Sequence, residues 1–70
     1  MIGRVRSFDY KKGYGFIESN KMDIYVHYKA IKMHGFRLLK ENQEVEFDLV
    51  DSKRGLKAHN VHIIKDEFDV

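Results

Sequence analysis

Seven of the nine phenylalanine and tyrosine residues, Phe8, Tyr10, Tyr14, Phe16, Tyr25, Tyr28 and Phe36, are interleaved with lysines and arginines; only Phe47 and Phe68 lie outside that stretch. Rings offer flat π faces on which bases stack, and cations between them track a phosphate backbone. Together they are the two components of a groove for single-stranded nucleic acid. The charge is polarised in the same sense. Residues 1–40 hold nine Lys or Arg against three acids and residues 41–70 four against eight, within a net charge of only +2. Other chemistry fits less well. His59 and His62 are three apart on an expected strand, which points them to opposite sides, and neither His27, His34 nor any cysteine completes a metal set with them. Ser7, Ser19 and Ser52 have no nucleophile setting, and the glycines at 13 and 15 are too close together for a phosphate-cradling Walker loop. The expectation is a binding protein with no catalytic residue, no metal and no cofactor.

Such rings act as a site only if one face of the fold presents them together, and strand alternation decides that. In Gly13-Tyr14-Gly15-Phe16-Ile17-Glu18, Tyr14 and Phe16 share a face with a carboxylate while Ile17 points the other way. In Asp23-Ile24-Tyr25-Val26-His27-Tyr28, Ile24 and Val26 take one face and Asp23, Tyr25 and His27 the other. Ser19-Asn20-Lys21-Met22 has the chemistry and length of a hairpin loop, so the two strands pair and gather Tyr14, Phe16, Tyr25 and His27 into one solvent-side aromatic patch. A patch of that kind marks a binding surface.

The remaining segments complete a barrel. Residues 2–10 read as a first strand with Val5 inward; its alternation is broken, which fits a bulge and leaves the facing of Phe8 open. Val45, Phe47 and Leu49 alternate with Glu44, Glu46 and Asp48 as a half-buried strand, residues 51–55 turn the chain, and Val61 and Ile63 form the inner face of the last strand. Between Lys29 and Glu41, Gly35 interrupts the only helix-like composition, so a short turn and a long loop are expected. The resulting fold class is all-β, a five-stranded antiparallel Greek-key barrel of OB type. Seventy residues suit one domain, spanning 1–65, with residues 66–70 an acidic C-terminal tail. The absence of cysteine and of any signal-like or membrane-spanning apolar run points to a soluble cytoplasmic protein. The RNA-recognition-motif fold is disfavoured, since no span supplies its two helices. An SH3-like peptide-binding barrel is the competing class.

Lys12-Gly13-Tyr14-Gly15-Phe16-Ile17 resembles the first ribonucleoprotein motif of cold-shock domains, and Ile24-Tyr25-Val26-His27-Tyr28 resembles their second. The order and spacing of the two agree, as do Ala30-Ile31, Gly35-Phe36, Gln43-x-Val45-x-Phe47, Arg54-Gly55 and Asn60-Val61, so the resemblance runs over residues 3–64. It implies base stacking by Tyr14, Phe16, Tyr25, His27, Tyr28 and Phe36, with polar or phosphate contacts from Arg6, Lys12, Asp23 and Arg54. It also implies a monomeric RNA chaperone that holds single-stranded RNA or DNA, pyrimidine-rich by preference, and influences translation or transcription termination. One departure removes a platform: Ser7 stands where the family carries a tryptophan. Leu56 stands where proline is common.

Overall fold

The computed structural model describes residues 1–32 and 38–65. Among the described residues five strands follow one another, β1 (Ile2–Asp9), β2 (Tyr14–Ser19), β3 (Met22–His27), β4 (Glu44–Ser52) and β5 (Gly55–Lys65), with a 3-10 turn, Tyr28–Ala30, after β3. Asn20 and Lys21 both take left-handed backbone angles, φ 51° and 65°, so β2 and β3 are joined by two residues whose twist matches that of the strands they connect.

The strands close into a barrel in the order β1-β2-β3-β5-β4, with β4 returning to β1. The expected antiparallel pairing holds at four seams. The fifth, β3–β5, is parallel, with Tyr25 opposite Lys57 and a bridge from Ile31 to Val61. A closed ring of five members cannot alternate direction at every junction, so one parallel seam is unavoidable. The core inside the ring includes Val5, Ile17, Ile24, Val26, Phe47 and Val61, all at most 1% exposed. Burial of these apolar side chains is the main favourable contribution to a fold this small.

Bulges on β1 and on β5 reset the alternation. On β1, Val5 is opposite Ile17 and Ser7 opposite Phe16, so Arg6 is the extra residue and both Arg6 and Ser7 are exposed. Phe8 thereby returns to the inner side, opposite Gly15, and packs partly against the core. On β5, His62 is opposite Glu46 and His59 opposite Asp48, with Asn60 left-handed at φ 52° between them. The expectation that His59 and His62 face opposite sides is therefore corrected: the bulge puts both on the exposed side with the acids of β4.

Leu49 also departs from its expected burial, at 37% exposed. Strand β1 pairs with β4 only over Glu44–Glu46, and the Phe47 N–H donates to the Met1 carbonyl at 2.9 Å. Farther along, β4 keeps β5 on one flank and no described strand on the other, so Leu49 lies outside the enclosed part of the barrel. The proposed tail, residues 66–70, lies outside the described residues.

Candidate functional site

The β2–β3 ladder sets Tyr14 opposite His27 and Phe16 opposite Tyr25, while Ile17 opposite Ile24 and Gly15 opposite Val26 fill the inner side. The ring centroids of Tyr14 and Tyr25 are 5.5 Å apart at 31°. Phe16 meets both edge-on, at 6.5 Å and 81° from Tyr14 and at 6.1 Å and 75° from Tyr25. Edge-to-face contacts of this kind hold rings in place and leave their outer surfaces available. Phe16 and Tyr28 are exposed; Tyr14, Tyr25 and His27 are half-buried.

Two glycines make the arrangement sterically possible. Gly13 has φ +74°, and a Cβ on it would come 2.8 Å from the Tyr28 ring. That ring is held there by the Tyr28 N–H, which donates to the Gly13 carbonyl at 2.9 Å. A Cβ on Gly15 would collide with the Ser7 carbonyl oxygen and lie 2.7 Å from the Phe8 Cα, so β1 approaches β2 this closely only because this position is bare. His27 is fixed from the other end of β3: its Nδ1 accepts the Lys29 N–H at 3.2 Å and caps the 3-10 turn. The His27 and Tyr28 rings lie 4.5 Å apart at 37°, which extends the patch to a fifth ring.

The cations are distributed around this face. Asp9 builds the turn that carries Lys12, its Oδ1 accepting the N–H groups of Lys11 at 2.9 Å and Lys12 at 3.0 Å, and its carbonyl the N–H of Gly13 at 2.8 Å. Arg54 and Lys57 border a groove of about 480 Å3 whose other walls include Phe16, Asp23 and Tyr25. A second groove of about 350 Å3 continues from Tyr25 and His27 past Lys29 to Lys57 and His59. Lys57 was not legible as a site residue. It comes beside Tyr25 only through the parallel β3–β5 seam, and no local pattern around residue 57 reports a partner so distant in the chain.

Arg6 and Asp23 are brought together, but with each other. The Arg6 Nη2 donates to Glu18 Oε2 at 3.0 Å, and its Nε is 3.5 Å from Asp23 Oδ1. All three side chains are about half exposed, so each ion pair contributes about 0–1 kcal/mol. Ser7 lies directly opposite Phe16, where a larger side chain would lengthen the aromatic row. Tyr10 has Phe8 as its ring neighbour, at 5.8 Å. Phe36 lies outside the described residues. Among the described residues, no three His, Asp or Glu converge as a metal site requires, and no helix is long and apolar enough to cross a membrane.

Residues 1–64 match the family model described as the "cold-shock" DNA-binding domain. The cold shock-like protein of Thermotoga maritima is 47% identical over 66 residues, which is 93% of this chain and 100% of that protein. The major cold shock protein of Micrococcus luteus is 48% identical over 62 residues, 86% of this chain and 92% of the relative. Among solved structures, "drosophila Unr CSD456" superimposes with a TM-score of 0.74 at 21% identity, covering 99% of this chain and 28% of the larger one, a likeness of fold.

Proposed function

Because the chain belongs to the family of the "cold-shock" DNA-binding domain, whose members bind nucleic acid and are not enzymes, we propose that it holds single-stranded RNA or DNA against the outer face of β2 and β3. Bases stack on Tyr14, Phe16, Tyr25, His27 and Tyr28, with Phe36 as a further platform. Lys12 and Arg54 contact phosphates, joined by Lys57, while Arg6 and Asp23 supply the polar edge of the face. The observation that carries this reading is the row of mutually braced rings bordered by a groove with Arg54 and Lys57 on its rim. Stacking has little base preference, since every base has a π face; pyrimidine-rich strands are favoured because they stack weakly on themselves and are readily unpaired.

On this reading one chain carries a complete face and acts as a cytoplasmic monomer. It traps strands as they melt, which is the action of an RNA chaperone and bears on translation and on transcription termination. Binding needs no nucleotide hydrolysis. Residues 1–65 are the working domain, with 66–70 an acidic tail. The test is a titration of labelled oligothymidine and of a polyproline peptide into the same protein. Saturable binding of the oligonucleotide alone is expected; binding of the peptide alone would overturn the assignment.

A further inference from the structure

Ser7 borders two depressions on opposite sides of β1. One, of about 520 Å3, opens on the aromatic face between Ser7, Asp9, Tyr14 and Phe16. The other, of about 570 Å3, lies between Ser7, Phe8, Tyr10 and the segment from Leu39 to Asn42. Phe8 lines both, so what separates them at the surface is the β1 backbone and the hydroxymethyl group of Ser7.

The topology explains the second depression. Strand β1 pairs with β4 only as far as Arg4, and at Val5 the chain before β4 takes over: the Val5 N–H donates to the Gln43 carbonyl at 2.9 Å and the Asn42 N–H to the Val5 carbonyl at 2.8 Å. Beyond the Arg6 bulge, that edge of β1 has no strand partner among the described residues. An unpartnered strand edge presents backbone N–H and C=O groups, which suit the polar edge of a base or a sugar hydroxyl. At its end stands Tyr10, 58% exposed, its ring tilted at 47° against Phe8, which supports it. Lys11 and Lys12 follow in the same turn and make this flank attractive to a phosphate.

Resting on the nucleic-acid reading of the aromatic face, we propose that a bound single strand does not end at Phe16 but crosses β1 over Ser7 and sets one further base on Tyr10. Tyr10 is then an additional stacking residue, and the small side chain of Ser7 is the gap through which the strand passes. The occupant is the same strand that lies on Tyr14 and Phe16, because the two depressions adjoin at Ser7 and the second combines a ring with a strand edge that has no strand partner among the described residues.

Fluorescence anisotropy with labelled oligothymidines, lengthened one nucleotide at a time, reads the length at which affinity stops rising. Wild-type protein is expected to gain one more step than Tyr10→Ala, that step being worth about ten-fold in affinity, with the difference confined to the longer strands. Ser7→Trp fills the gap and is expected to abolish the same step although Tyr10 is intact. Both substitutions are at exposed positions, and unfolding midpoints report whether the barrel persists. The proposal is overturned if wild type and Tyr10→Ala level off at the same length and affinity. It is equally overturned if Tyr10→Ala weakens every length alike, since the ring would then belong to the main face. Failure of wild-type protein to bind any oligothymidine would remove the nucleic-acid reading itself, and this extension with it.

Discussion

Phe16 and Tyr25 are direct cross-strand partners with ring centroids 6.1 Å apart, and the residues beside them, Ile17 and Ile24, are partners on the opposite face with no exposed surface. A single ladder thus separates the outward-facing rings from the side chains that hold the barrel together.

That separation is testable. Phe16→Ala and Tyr25→Ala are each expected to weaken single-strand binding by ~1–3 kcal/mol while the protein remains folded. Val26→Ala, at a position with 0% exposure, is expected to lower stability by roughly 1–3 kcal/mol and leave the affinity of folded molecules unchanged. Urea unfolding measured alongside anisotropy distinguishes the two effects. Unfolding of both ring variants would mean that the two faces have been assigned the wrong way round.

Ser7→Trp places a new ring opposite Phe16. For strands short enough to lie wholly on the main face, binding is expected to tighten by ~1–3 kcal/mol. An unchanged or lower affinity for those short strands, in a folded variant, would show that a ring at this position cannot lie beside Phe16.

Salt dependence reports the phosphate contacts. Lys12, Arg54 and Lys57 supply about three contacts at roughly 0.7 released ion each, so log K against log salt is expected to fall with a slope near −2. Lys12→Ala should reduce that slope by roughly 0.7 without altering base preference. Arg6→Ala should change it much less, because Glu18 and Asp23 already balance that charge. Equal reductions in the two variants would show that Arg6 leaves its carboxylates for a phosphate. Binding lost entirely at moderate salt would reduce the rings to a structural role.

Gly15→Ala tests the close approach of β1 to β2 at the edge of the patch. The added methyl meets the Ser7 carbonyl and the Phe8 backbone rather than a movable side-chain tip. A loss of stability of about 1–3 kcal/mol or more is expected, read from the midpoint of urea unfolding. A variant as stable as wild type would show that β1 shifts away at little cost.

The legible parts of this molecule are those governed by neighbours in the chain. Tyr14, Phe16, Tyr25 and His27 could be placed on one face because β2 and β3 alternate without interruption and a two-residue turn fixes their register. The facing of Phe8 could not be read, since one extra residue on β1 inverts everything after it and nothing at Arg6 marks the insertion. The same effect misplaced His59 relative to His62, where Asn60, tolerant of left-handed angles, is a signal visible only in retrospect. Leu49 has the alternation of a core residue, but alternation gives the side of a strand and not whether another strand covers it. The role of Arg6 was half legible: its charge is in the sequence, whereas its engagement with Glu18 and Asp23 depends on the bulge that turns it toward them. One non-local feature was available from counting alone, because a closed ring of five strands must contain a parallel seam.

Tyr25 and Lys57 belong to two halves of the barrel that the chain builds separately, a three-strand meander and a hairpin, each from local contacts. Joining them requires closure of a long stretch of chain, so this junction is expected to form late in folding. It is also short, with one registered pair in the ladder and the Ile31–Val61 bridge beyond it. This seam is the thinnest of the barrel's ladders, and Tyr25 of the aromatic face lies on it. A nucleic acid spanning Tyr25 and Lys57 would act as a suture, and occupancy would slow amide exchange along this seam more than in the β2–β3 hairpin. At ligand concentrations about a hundredfold above Kd, linkage adds ~2.7 kcal/mol to the folded state. Cold weakens the hydrophobic contribution to such a small core, so a bound strand would offset part of that loss.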